Sequence, residues 1–392
     1  MKPSSSLALI AAFLAAPAVA VEYTISTCAD LADVDDTLVT GLTIDSSTFA
    51  CDEYTRFRVR NTMSLKATVP AVEFSNFSLK VLGQLTVEPD VIFSGVVDQV
   101  KNGGVLSVEE GAAATFMGTS EFSDNTIINK QLGSVSCGEG CTTVSRGLSY
   151  VVKKGGAIHN KGVLTFEGDA TFARNQVRTD DSDEQGRAGA VSNTGSGSIL
   201  FKGKLNMEEN DAGGFFVGIG GGIYNRGDIV VNGESFFTLN TASDGGVIYQ
   251  TKIGTMTFNA MATFYDNSVR DFRGGAIDNE GGVMDFNAGS LFEGNAADGS
   301  GDGGQGGAIF NGNGGVITLT GSTTFMGNVA FWGGAIYNTD ENGSGFTRGG
   351  DLPVSTTTFP DGAIFVENRA ENCPDVNNGD VRNGNNEDCP VV

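Results

Sequence analysis

The sequence predicts an all-β solenoid, a right-handed parallel β-helix, because two short motifs alternate down it at near-fixed spacing with a short apolar run between them. The first motif reads GG-A/V-I-x-N and ends at Asn160, Asn193, Asn225, Gln250, Asn279, Asn311 and Asn338. Ala188 replaces its first Gly once, and Gly222 its third residue once. The second reads F-x-x-N and ends at Asn175, Asn210, Asn240, Asn267, Asn295 and Asn328, with Met207 in place of one Phe. From the first Asn to the second is 15, 17, 15, 17, 16 and 17 residues, so the two motifs belong to one structural unit. The return stretch to the next GG varies over 13, 10, 5, 7, 11 and 5 residues, which marks it as a surface loop.

Each unit supplies three strand-like pieces. One surrounds GGAI, one ends in the Phe of F-x-x-N, and one is the run between, as in Val163-Leu164-Thr165-Phe166 or Val316-Ile317-Thr318-Leu319. Nothing in the array has the 3.6-residue period of a long helix. Stacked copies put Phe172, Phe237, Phe264, Phe292 and Phe325 in one interior column, with successive rings about 4.8 Å apart. Asn225, Asn279, Asn311 and Asn338 should line one bend, each amide bonding its counterpart a coil away, with Asn in the left-handed conformation.

This alternation resembles the repeat signature of the chlamydial polymorphic outer membrane proteins, over about residues 101–370. The resemblance implies a β-helical passenger displayed at a cell surface, with adhesion as its usual role. It does not extend to the membrane β-barrel of those bacterial proteins, since a polar, Asn-rich stretch occupies the end of this sequence. Autotransport is therefore not carried over.

The ends bound the array. Residues 1–20 read as a secretory signal, with Lys2, an apolar core from Leu7 to Ala16, and Ala18-Val19-Ala20 as the cleavage site. Residues 21–54 form an expected N-terminal cap with a short helix at Asp30 to Asp35; 55–372 form the β-helix, and 373–392 a Cys- and Asn-rich C-terminal cap. No later segment is long and apolar enough to cross a membrane as a helix. Six cysteines downstream of the signal fit an oxidising compartment but allow 15 pairings. Neighbour pairing, the simplest, joins Cys28 to Cys51, Cys137 to Cys141 and Cys373 to Cys389. Sequons at Asn76 and Asn342 are candidate glycosylation sites.

With 24 basic and 47 acidic residues the net charge is −23, which disfavours nucleic acid and anionic membranes. The lone His159 sits at the x position of a GG motif, where other copies carry Ser, Tyr, Asp and Phe, so it is read as structural. The arginines Arg174, Arg187, Arg226, Arg270 and Arg273 form no recognisable lyase site. The run Asp180, Asp181, Asp183 and Glu184 reads as a solvated loop. Asp298, Ser300 and Asp302 resemble half a calcium loop whose twelfth position is Ile309 instead of Glu. No metal or cofactor is expected. The function expected is that of a secreted, non-catalytic protein acting in cell-surface or matrix interaction, partnered by an extracellular glycan or cell-surface protein. The alternative is a calcium-dependent polysaccharide lyase of the pectate-lyase type. The binding face is expected at the x positions, read as exposed, with Tyr224, Tyr249, Phe310 and Tyr337 as contact residues; packing beneath the adjacent loops is the competing role for these rings.

Overall fold

The computed structural model describes residues 21–34, 36–98, 103–128, 152–179, 185–214, 217–298, 304–339, 355–370 and 381–383. The signal segment, Cys137, Cys141, Cys373, Cys389, Asn342 and the acidic run at 180–184 lie outside them.

Short strands of successive coils pair in parallel and in register, which makes the chain a parallel β-helix. The run between the motifs builds a sheet of 12 strands. The F-x-x-N strands and the GG strands build two further ladders, which the long strand Ala71–Val81 joins by pairing with Asp90–Ser94 at one end and Leu106–Val108 at the other. A fourth ladder was not expected. It consists of mostly two- to four-residue strands directly after the second Asn, such as Thr241–Ala242, Ser268–Val269 and Ala296–Ala297. Among the described residues the only helical turn is the 3-10 segment Cys28–Asp33, which begins and ends slightly earlier than the expected helix. Its start is held by the Asp30 carboxylate, which accepts from the Ser26 and Thr27 amides at 2.9 and 2.8 Å. The Cys28–Cys51 disulfide ties this turn to the first coils.

The five Phe of the second motif are fully buried, as expected. Rings stack down the column from Phe237 through Phe264 and Phe292 to Phe325, with centroids 4.6, 4.6 and 4.8 Å apart. Met207 fills the one place in register between Phe172 and Phe237 where the aromatic is missing.

Two Asn ladders run beside the core. In the F-x-x-N ladder each Nδ2 donates to the Oδ1 of the next coil, as Asn240 does to Asn267 at 3.0 Å and Asn267 to Asn295 at 3.0 Å. That Oδ1 also takes the Asn backbone N–H of the preceding coil, and the other Nδ2 hydrogen meets the carbonyl of the motif's Phe one coil earlier, or of Met207 in the case of Asn240, so each buried amide is satisfied. The GG ladder runs through Asn160, Asn193 and Asn225 to Gln250, and again from Asn279 to Asn338. It breaks at Gln250, whose amide bonds the Gly254 and Val283 carbonyls and gives no hydrogen bond to Asn279.

The left-handed residue of the second motif is the one before the Asn, not the Asn itself. Arg174, Glu209, Leu239 and Asp266 have φ of 55, 53, 55 and 51°. The bend must reverse there so that the following Asn can point its amide inward. The two glycines of GG have separate causes. Gly245 needs its φ of 60°. A Cβ on Gly246 would stand 2.0 Å from the Gly275 carbonyl oxygen of the next coil.

Candidate functional site: the covered face of the GG strands

Because side chains alternate across a strand, the x residue of each GG motif points away from the core. Parallel pairing then sets His159, Ser192, Tyr224, Tyr249, Asp278, Phe310 and Tyr337 in one continuous outer column. The expectation that this column is exposed is corrected. His159, Ser192, Tyr224, Asp278 and Phe310 are buried, and Tyr249 and Tyr337 are half-buried.

The cover comes from the residue immediately before each GG. Lys154, Arg187, Ile219, Asp244, Arg273, Gln305 and Trp332 occupy that place. Each of their carbonyls accepts the N–H of the first motif residue one coil earlier, for example Arg187 O from Gly155, Arg273 O from Gly245 and Trp332 O from Gly306, at 2.8–2.9 Å. Part of this ladder is regular enough to form a three-stranded sheet, Val152–Lys154, Gln185–Arg187 and Val217–Ile219. The return loops therefore fold back over the GG strands, and their last residue closes the column.

Two arginines act as clasps. The Arg187 guanidinium lies 4.9 Å from the centre of the Tyr224 ring, and its Nη1 donates to the Tyr224 hydroxyl at 3.2 Å. Tyr224 in turn stacks on Tyr249, 5.9 Å away. Arg273 covers Phe310 at 4.5 Å, and Phe310 stacks on Tyr337 at 5.9 Å.

Arg273 also gathers the acids. Its Nη1 pairs with Glu280 at 2.7 Å, and its Nε lies 3.7 Å from Asp244 and 3.9 Å from Asp278. Burial pushes Asp244 up to about 6, Glu280 adding and Arg273 opposing. Asp278 is raised well above the usual carboxylate range, again chiefly by burial, and neither of its oxygens has a hydrogen-bond partner. Burial and then Asp278 raise the Tyr249 phenol. Burial weakens the Arg273 cation, but Asp278, Glu280 and Asp244 outweigh it and hold the charge.

The other end of the column is basic. Burial, then repulsion from Arg187, Lys161 and Arg226, lowers Lys154. Burial, with Lys154 next, lowers His159 to about 3 and keeps it neutral. Its ring nitrogens and the neighbouring Ser192 hydroxyl have no hydrogen-bond partner.

The remaining arginines of the sequence reading are dispersed. Arg174 makes a two-pronged pair with Asp124 at 2.8 and 2.9 Å, and Arg270 pairs with Asp211 at 3.0 Å. Arg226 is exposed. Among the described residues no group of three or more His, Cys, Asp or Glu is placed to hold a metal ion. Asn76 lies within the first coils at φ 52°, and its Nδ2, the atom a glycan would join, donates to the Cys51 carbonyl at 3.0 Å.

Residues 322–339 contain strand Thr323–Met326, Asn328, the Gly333-Gly334 pair and strand Ile336–Asn338, one full passage from the second motif to the first. They match the Chlamydia polymorphic membrane protein repeat. No curated protein and no solved structure gives a significant match to the chain.

Proposed function

We propose that the protein is a non-catalytic β-helix of a cell surface or extracellular matrix, holding an extracellular glycan or a cell-surface protein. The observation that carries this reading is the repeat match at residues 322–339, within an array whose other coils bear the same two motifs. The secretory character of residues 1–20 supports export. The covered column supports a positional role for its charges. Arg187 and Arg273 fasten the last residue of their return stretches to aromatic rings. Of the four column aromatics, Tyr249 and Tyr337 are the two that keep solvent contact, and in this reading they lie at the rim of the binding surface.

The test is attachment of the purified mature protein to cells and matrix, with and without Tyr249→Ser plus Tyr337→Ser. Attachment that weakens in the folded double variant supports the reading, and unchanged attachment removes these tyrosines from it. Incubation with polygalacturonate or alginate and Ca²⁺ tests the enzyme class. Steady release of unsaturated product, abolished by a chelator, would replace this reading with a lyase.

A further inference from the structure

Among the described residues three aromatic rings are exposed: Phe272, in the return stretch before a GG pair, and Phe236 and Tyr265, together on the outer side of the F-x-x-N ladder. Phe236 and Tyr265 are 41% and 42% exposed, although large apolar side chains in this chain are mostly internal. Pairing sets Phe236 against Thr263 and Thr238 against Tyr265, so the two aromatics stand on neighbouring strands, two residues out of register. With strands about 4.8 Å apart and two residues advancing about 6.6 Å, their Cα atoms are separated by about 8 Å. Leu239, at 45% exposure, sits at the bend after Thr238 and donates its N–H to the Tyr265 carbonyl at 3.2 Å. The two strands pair in unbroken register here, so both rings stand on one face of the sheet.

The charge around these rings is mostly negative; the neighbouring cation, Arg174, is held two-pronged by Asp124 and feels Glu209 and Glu208 only secondarily. Glu208 is opposite Thr238 on one side, and Glu293 is opposite Tyr265 on the other. Glu209 and Asp266 occupy the left-handed bend position of the same coils. None of these four carboxylates has an ion pair among the described residues. The nearby Lys204 ammonium is taken by Glu234 at 3.4 Å. The Asp266 carboxylate lies against the Tyr265 hydroxyl and raises its pKa, which keeps the phenol protonated.

We propose that this face is a binding site for a polysaccharide of protonated amino sugars. The apolar faces of the sugar rings stack on Phe236 and Tyr265, and the ammonium groups meet the aromatic faces and the ring of carboxylates. Charge complementarity selects this occupant: a uronate or sulfated chain would meet four unpaired negative groups, and a neutral chain would leave them unused. The inference rests on the surface-binding reading only for the place where such a ligand is met.

The probe is a chitosan oligosaccharide titrated into the full mature protein, beside its N-acetylated counterpart and an oligogalacturonate. Binding of the amine form at least tenfold tighter than the acetylated form, weakening with added salt, is expected. Phe236→Ser plus Tyr265→Ser should reduce it at least tenfold; both side chains are on the solvent side, and an unchanged thermal transition checks the fold. Glu208→Gln plus Glu293→Gln keeps the rings and should remove most of the preference for the amine form. Equal affinity for amine and acetylated forms, no binding of the amine form, or unchanged affinity in the folded ring variant would each overturn the proposal. A preference for a basic peptide over the amino sugar, at the same residues, would also overturn it in favour of a protein partner. Cell attachment that survives without chitosan binding leaves the surface-binding reading standing and removes this site alone.

Discussion

The Arg273 guanidinium stands 3.9 Å from the fully buried Asp278 carboxylate, near enough to share charge and too far to hydrogen-bond. Asp278 faces Arg273, Glu280 and Asp244 without a donor of its own, so its cheaper state in the fold is the protonated one. Asp244, pushed up to about 6, shares that preference.

Stability should therefore fall as pH rises through this cluster. A carboxyl with a folded pKa above its unfolded value of 3.8 makes the native state bind more protons, and that stabilisation is full below 3.8 and lost by about 6 for Asp244. The loss is on the order of 2–3 kcal/mol. Denaturant melts between pH 4 and 7 should show this decline in the wild type and a smaller one in Asp244→Asn. Comparing the two cancels Glu109, held down to about 2 by Lys80 and Lys161 against its burial, whose opposite dependence lies at lower pH. An equal decline in both proteins would remove Asp244 from the account.

The core column yields a contrast between two neighbouring residues. Phe237 is fully buried and Phe236 is 41% exposed on the same strand. Phe237 and Phe264 stack at 4.6 Å, so Phe264→Ala should cost about 3–5 kcal/mol by loss of burial and creation of a cavity. Phe236→Ala should stay within about 0.5 kcal/mol. Equal costs in urea unfolding would contradict the inward and outward assignment.

These columns were legible in the sequence because an interior position sees the same neighbours in every coil and so keeps its residue type. Phe172, Phe264 and Phe325 declare themselves by recurrence. The covered column was not legible for the opposite reason. Alternation along the strand correctly turns Tyr224 and Asp278 away from the core, but it carries no knowledge of a loop returning over them. The covering residues share only a place, immediately before GG, and differ in kind from Lys154 to Trp332. One signal was present: Arg187 and Arg273 at that place, with Tyr224 and Phe310 one coil on at the x place, pair a cation with an aromatic twice. The bend was misread for a related reason. Recurring Asn suggested left-handed backbone, whereas recurrence came from the amide ladder, and the variable residue before it, such as Glu209 or Leu239, carries the positive φ.

The amide ladder should be as costly to break as the aromatic column. Asn267 links Asn240 to Asn295, and its removal leaves the Asn240 backbone N–H and the Phe237 carbonyl without that partner. It also takes one acceptor from the Asn240 Nδ2, and leaves the Asn295 Oδ1 with only the backbone N–H of residue 267. Asn267→Ala should destabilise by about 3 kcal/mol or more, since each stranded buried group costs about 1–3 kcal/mol. A cost under about 1 kcal/mol would mean that water replaces the rung. Gln250→Asn tests the same ladder in the other direction: the shorter amide can reach Asn279, but both Gln250 donors are already given to the Gly254 and Val283 carbonyls, so the rung is gained by exchange and the stability should change by less than about 1 kcal/mol.

The two glycines of one motif should respond differently to the same substitution. Ala188 already occupies the first position at φ 61°, so the array tolerates a Cβ there once the neighbouring backbone adjusts. A Cβ on Gly245 would meet the Ile248 carbonyl oxygen of its own coil at 2.2 Å, a local carbonyl that Ala188 shows can give way, so Gly245→Ala should cost about 1–2 kcal/mol of left-handed strain plus that shift. The second position has no such precedent in any copy, and a Cβ on Gly246 would meet the Gly275 carbonyl oxygen at 2.0 Å. That oxygen belongs to the next coil's backbone, which cannot rotate away as a side chain would. Relief requires the coils to separate locally, opening the Asn and Phe ladders on either side. Gly246→Ala should therefore cost more than 4 kcal/mol, or split the unfolding transition in two as the array parts at that coil. Equal, small losses for Gly245→Ala and Gly246→Ala would show that the coils are stacked less closely than this.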